Sequence, residues 1–309
     1  MNPTHRLVRS CRSGARGRAR HACHVSLSAM GLLLLALCSL LAAGCKDQGK
    51  VAQQYAADLI GKLASVATED VTQVRRGLPA GAKKVGEMID PDPGANLVAL
   101  RKALEVGRAS DKDLVVSKVT FFSFADPTGT VLRSEGDPDM LAGKPVLPTF
   151  PDLKKALAPE SGLVEVFGHM QEMRGVRNGP DEQWVVAHPV KDAGGQVKGM
   201  LVTGWSFRAY ARRLQEAGKR EMIELAKREK LKNDPLVYAF VWRGGKVYGE
   251  AVTPDVNTEA VEKLDLAAKT TAGPWSGTVE ITGRSYGVAA QRVPELGPDA
   301  GVAALVSPI

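Results

Sequence analysis

Two stretches of this chain carry side chains suited to gripping a small molecule. Strand-like alternation over 162–170 puts Phe167 and His169 on one face, and over 183–190 it groups Trp184, Val186 and His188. The loop between them carries Arg174 and Arg177. A guanidinium beside aromatic rings can hold a carboxylate through two parallel hydrogen bonds. Phe167, His169, Arg174, Arg177, Trp184 and His188 are therefore the candidate ligand-binding set. The ordinary uses are Trp184 and Phe167 as core, His188 hydrogen-bonded within its strand, and the arginines as solvated loop charges. The residue pattern alone leaves both uses open.

Catalytic and metal chemistry find little support. Beyond residue 44 the histidines are His169 and His188, with no H-E-x-x-H pattern, so no metal site and no cofactor is expected. No glycine loop has phosphate-binding spacing, and no serine-hydrolase elbow is expected. Asp90-Pro-Asp92-Pro-Gly94 lacks the distal glutamate of a calcium loop and reads as a turn. The chain is expected to be non-catalytic.

Charge is divided unevenly. The whole chain has 41 Lys and Arg against 34 Asp and Glu. Six of the arginines and none of the acids fall within residues 1–44, which leaves 35 against 34 from Cys45 onward. A chain so balanced offers no electrostatic reason for a nucleic-acid partner. Cys11, Cys23 and Cys38 also lie in that first segment. Cys45 is the last cysteine, so an internal disulfide is not expected after it.

The elements that must position the candidates follow from periodicity. Ala52, Tyr55, Leu59, Leu63 and Val66 share one face of a helix over 46–78, which Pro79-Ala-Gly81 is expected to end. A second helix fits 96–106 with Asn96 as its cap. Strands are expected over 115–125 and 130–134 around the turn Asp126-Pro-Thr-Gly129, then over 162–170, 183–190 and 197–207, with a short helix at 151–157. A long helix spans 208–231. Phe207, Ala211, Leu214, Gly218, Met222 and Leu225 form its apolar stripe, and Glu216–Arg220 and Glu224–Arg228 are paired at i,i+4. The strand pattern then repeats over 236–242, 246–251, 278–282, 285–292 and 302–306, with one helix at 257–268. The order hairpin, helix, three strands thus occurs twice.

The beginning of the chain has its own signature. Arg6, Arg9, Arg12, Arg16, Arg18 and Arg20 precede a short apolar run, 31–41, too short to cross a bilayer. The ending Leu41-Ala42-Ala43-Gly44-Cys45 resembles the lipobox of bacterial lipoproteins. That resemblance implies removal of residues 1–44 and a lipid on Cys45, which would tie the chain to a membrane in the cell envelope, facing the periplasm. Lys46 differs from the aspartate that retains many lipoproteins in the inner membrane, so the outer membrane is favoured.

Three further fragments carry a second resemblance: Phe122-Ser-Phe-Ala-Asp126-Pro-Thr-Gly129-Thr-Val-Leu, Trp184-Val-Val-Ala-His188-Pro-Val190, and Gly194-Gly-Gln-Val-Lys-Gly199-Met-Leu-Val. In this order they resemble the extracytoplasmic Cache modules of bacterial receptors, relatives of the PAS fold, in a double-Cache arrangement. The resemblance implies an α+β fold with two five-stranded antiparallel sheets, a long N-terminal helix and a long joining helix. A small-ligand pocket is implied between a sheet and its covering helix and loops. The expected division is 1–44 signal, 45–110 anchor and helical segment, 111–207 first module, 208–232 connecting helix, and 233–309 second, smaller module. Since no output domain follows, a sensory signal would leave through a membrane signalling or transport partner. The resulting expectation is a sensory lipoprotein binding a small solute. The alternative is a structural or interaction lipoprotein whose pockets are filled by side chains.

Overall fold

In the computed structural model, residues 48–174 and 179–307 are described. Cys45, Arg177 and the segment 1–44 lie outside the described residues. The chain begins with helix α1 (Gln48–Gly86), followed by α2 (Leu97–Ala109) and α3 (Lys112–Val116). Strands β1 (Phe121–Ala125), β2 (Val131–Ser134), β3 (Val164–Gly168), β4 (Gln183–Lys191) and β5 (Val197–Ser206) form the first sheet, in the order β2-β1-β5-β4-β3. Helix α4 (Phe207–Glu229) leads to β6 (Leu236–Arg243) and β7 (Lys246–Gly249). Then come α5 (Asp255–Glu262), α6 (Leu266–Lys269), β8 (Trp275–Ile281), β9 (Arg284–Arg292) and β10 (Ala300–Ser307). The second sheet runs β7-β6-β10-β9-β8, the same order as the first. Neighbouring strands are antiparallel throughout. The expected α+β architecture of two five-stranded antiparallel sheets is therefore what the chain forms, within a compact unit Asp47–Ile309.

Helix α1 crosses both sheets, packing on β8, β9 and β10 and on β4. It does not stop at Pro79, as the sequence pattern suggested, but continues for seven more residues. A proline inside a helix costs about 3 kcal/mol or more, through a lost hydrogen bond and a clash with the preceding turn. Ala82 and Val85 are nonetheless buried beyond it, and Leu78 just before it. Full burial of a Val side chain stabilises by about 1.5–3 kcal/mol, so Val85 and Ala82 together are of the size that offsets the proline. Gly81, read as a breaker, is a contact point: a Cβ there would lie 2.5 Å from Leu114 Cδ1.

Three further expectations are corrected. The segment 115–125 does not start as strand, because Asp111 caps α3 by accepting from Asp113 N at 2.8 Å. The helix expected over 257–268 is two, divided at Asp265, which takes a left-handed conformation and caps α6. The third concerns helix α4, whose expected apolar stripe does face the core. It packs on β6 and α1, and Tyr210, Leu214 and Met222 are buried. Its ion pairs differ from those expected: Glu216 pairs with Arg212 (3.1 Å) and Glu224 with Lys227 (2.8 Å).

Two glycines set how closely α1 lies against the sheets. A Cβ on Gly86 would meet the Lys191 carbonyl oxygen at 2.1 Å, and one on Gly287 would meet Ala52 C and O at 2.0 Å. Both obstacles are backbone, which cannot move as a side chain can. Gly287→Ala is expected to destabilise by about 3 kcal/mol in urea unfolding. Gly61→Ala, on the exposed side of α1 with Gln291 Oε1 no closer than 4.0 Å, should stabilise by about 0.5–1 kcal/mol. Equal midpoints for Gly287→Ala and wild type would refute the close approach.

Candidate ligand cleft

The first sheet has two differently used faces. Phe122, Phe124, Trp184, Val186, Leu201 and Trp205 point to α1 and join the core shared with the second sheet. Val131, Val185, Ala187, Met200 and Val202 point the other way, where Val146, Phe150 and Leu153 cover them. That second face, where the resemblance implied a pocket, is largely filled by its own side chains.

At its margin lies an open cleft of about 410 Å³, lined among others by Arg108, Phe121, Glu135, Met140, Glu172 and Arg174. Arg108 donates to Glu135 at 2.6 Å, and Lys144 pairs with Glu172 at 3.3 Å. Arg174 donates to Gln171 Oε1 at 2.8 Å and to the Gly179 carbonyl, while its Nε has no partner. Both charge signs thus meet an aromatic ring and an exposed methionine.

The wall carrying Arg174 is held from below. Gln183, fully buried on β4, accepts from Met170 N at 2.6 Å. Asp181 accepts from Arg208 N (3.1 Å) and Glu182 N (3.0 Å), and its other oxygen is unpartnered. Burial pushes the Asp181 carboxyl above the usual range, against those hydrogen bonds. Glu182 crosses to the second sheet, pairing with Arg243 and accepting from Tyr248 OH at 3.1 Å.

The candidate residues fall in different places. Trp184 has no exposed surface; its Nε1 donates to Glu165 Oε2 at 3.0 Å, and its ring lies 4.3 Å from Trp205. Phe167 is opposite Trp184 across β3–β4 and sits under the Arg243 guanidinium at 4.2 Å. His169 is hydrogen-bonded through Nδ1 to the Asp181 carbonyl. His188 lines a second cleft of about 470 Å³ with Pro79, Lys83 and Glu87, and burial lowers its pKa. Of the candidates, Arg174 alone lines the 410 Å³ cleft, and Arg177 lies outside the described residues. Sequence reasoning missed Arg108, Phe121, Glu135, Met140 and Glu172. They sit on α2, β1, the loop after β2 and a short 3-10 helix (Gln171–Met173), and no single periodicity links them.

Among the described residues no group of three or more His, Cys, Asp or Glu could hold a metal ion. Gly283-Arg-Ser285-Tyr-Gly287 spells G-x-S-x-G, the letters of a serine-hydrolase elbow. It forms the β8–β9 hairpin rather than a strand-to-helix elbow, and both described histidines belong to the first sheet region.

Beneath the first sheet, α1 brings a buried acid against α4. Asp70, 3% exposed, accepts from Tyr210 OH at 2.9 Å and faces Arg213 at 3.6 Å. Desolvation raises the Asp70 pKa, with Arg213 opposing. The folded state thus keeps this proton to higher pH than the unfolded chain does. That contribution to stability is complete below the ordinary aspartate value of about 3.9 and is lost as pH rises through the raised value. Asp70→Asn removes it, so the stability of Asp70→Asn relative to wild type should improve as pH rises through that window. Urea unfolding from pH 4 to 8 reads the difference, and a trend of opposite sign would contradict the assignment.

No protein-family model matches the chain, and no curated protein is found as a relative. Its structural neighbours are extracellular ligand-binding and sensor domains. An extracellular ligand-binding receptor from Desulfohalobium retbaense is 14% identical, with 81% of this chain and 39% of that chain covered, at a TM-score of 0.45. This chain thus spans about two-fifths of that receptor's length. The ligand-binding domain of the Pseudomonas aeruginosa amino acid chemoreceptor PctC, in complex with GABA, is 16% identical, covering 82% and 99%, at 0.44. The sensor domain of the V. cholerae histidine kinase DctB is 14% identical, covering 82% and 95%, at 0.45. No described helix is long and apolar enough to cross a membrane.

Proposed function

We infer that this chain is a non-catalytic, lipid-anchored envelope protein whose first module, 111–207, binds a small solute and reports or delivers it to a membrane partner. The second module, 233–309, and helix 208–232 complete a double-Cache arrangement. The 410 Å³ cleft carries this reading, since it sets Arg108 and Arg174 against Glu135 and Glu172 around Phe121 and Met140. A few convergent polar groups over an apolar wall suit a small molecule bearing charge. Arg174 is its direct contact. Trp184, Phe167 and His169 shape the support behind it, and His188 belongs to the separate cleft at the α1 end.

The second reading is an interaction lipoprotein without a small ligand. The filled face of the first sheet, with Val185, Met200 and Val202 under Phe150 and Leu153, favours it.

A thermal-shift screen of Asp47–Ile309 against amino acids, carboxylates, amines, purines and sugars separates the two. A ligand at 100 times its Kd adds about 2.7 kcal/mol, which raises Tm by about 5–10 °C for a chain of this size. Arg174→Ala should abolish the shift without lowering the unliganded Tm by more than a degree or two. A protein that melts cooperatively and responds to nothing supports the interaction reading.

The anchor has its own test. Cells fed an alkyne fatty acid should label the wild-type chain and leave Cys45→Ala unlabelled and unprocessed. Equal labelling of the two would remove Cys45 as the lipid site.

A further inference from the structure

Helix α4 and its exit carry a charge surplus that the fold does not use. Residues 208–232 hold nine Lys and Arg against four Glu, whereas the rest of the chain from Cys45 onward holds 26 against 30. All four acids are engaged. Glu216 takes Arg212, Glu221 takes Lys62 of α1, Glu224 takes Lys227, and Glu229 accepts from Tyr55 OH at 2.7 Å. Lys219, Arg220, Arg228, Lys230 and Lys232 are exposed and have no ion-pair partner among the described residues.

Their position gives this surplus a direction. The Tyr55, Lys62 and Asp70 contacts run α4 antiparallel to α1, so the end of α4 lies beside the start of α1. Tyr55 is seven residues into α1, about 10 Å along its axis. Gln48 in turn follows Cys45 by three residues, a reach of at most about 11 Å. Arg228, Lys230 and Lys232 therefore belong to the end of the fold from which the chain leads to Cys45. Lys219 lies eleven residues before Lys230, about 16 Å further along α4. That is about two screening lengths at physiological salt.

We propose that Arg228, Lys230 and Lys232 form a docking surface for anionic phospholipid headgroups, setting the unit upright on the membrane that carries it. The proposal rests on the Cys45 anchoring reading for its setting, but headgroup preference can be measured without the anchor. The fragment Asp47–Ile309 contains every described element and lacks Cys45. It is sedimented with phosphatidylcholine vesicles, with or without phosphatidylglycerol, at physiological ionic strength, where the separation from Lys219 is screened.

Three cations at an anionic surface raise the partition coefficient by roughly 100-fold. The phosphatidylglycerol vesicles should show that gain, and R228E/K230E/K232E should abolish it with Tm unchanged. K219E/R220E, too far along the helix, should stay within about threefold of wild type. The proposal fails if wild type shows no phosphatidylglycerol preference, if the triple variant retains it, or if K219E/R220E loses as much. Headgroup preference together with an unlabelled Cys45 would refute the anchor reading alone. Labelled Cys45 without headgroup preference would refute this surface alone.

Discussion

Everything in this fold is referred to the backbone of α1. The helix touches the first sheet at Gly86 and the second at Gly287, through contacts that leave no room for a Cβ. The contact points on α1, Ala52 and Gly86, are 34 residues apart, about 51 Å along a straight helix. A helix held by backbone at both ends fixes where the two sheets can lie. Between those points Leu59, Leu63, Val71, Val74 and Leu78 are buried, so the apolar stripe is continuous from one sheet to the other. The proline at 79 is tolerated because the alternative is to strip that stripe of its last turns.

Apolar stripes hold a helix without deciding its register, since one turn of leucines resembles the next. Polar contacts decide it here. Arg75 grips Glu165 with two bonds of 2.7 and 2.9 Å, Glu165 accepts from Trp184, and Arg75 also reaches the Glu295 carbonyl at 3.1 Å. One α1 side chain is thereby tied to both halves. Asp70 does the same for α4 through Tyr210, whose ring stacks on Trp205 at 4.5 Å. Buried charges of this kind add little net stability, because desolvation offsets most of their attraction. Their value is directional: a shifted helix would leave Asp70 buried without its partners.

Much of this was legible in the sequence, and the failures have physical causes. The strands were found because alternation and β-branched residues coincide, and the repeated element order carried the resemblance that implied two five-stranded sheets. The α4 stripe of Ala211, Leu214, Gly218, Met222 and Leu225 was read correctly because all of these residues face one side. Pro79 misled because tertiary burial outweighed a local penalty that the sequence displays openly. Strand 115–125 misled because Val115 and Val116 favour strands, whereas Asp111 caps the helix that contains them. The site was the least legible part. Trp184 and Phe167 have the chemistry of ligand contacts, but alternation does not say which face of a sheet α1 will cover. Arg108 and Glu135 meet only because α2 and the loop after β2 are brought together, and no local pattern encodes that.

The strand that supports the cleft wall also bears on the joint between the sheets. Arg174 lines the cleft, and a few residues later Asp181 and Glu182 bind the first turn of α4 and the second sheet. The Phe207 amide donates to the Glu182 carbonyl at 2.8 Å, the Arg208 amide to the Asp181 carboxylate, and the Glu182 carboxylate holds Arg243 and Tyr248. Phe207 then meets Tyr248 edge-on at 5.4 Å. A displacement of this short segment cannot stay within the first sheet, because its hydrogen bonds end on α4, β6 and β7. Helix α1 is pinned by backbone at Gly86 and Gly287 and offers no comparable freedom. In this architecture the start of α4, and not α1, is the element through which a change at the cleft would reach the second sheet.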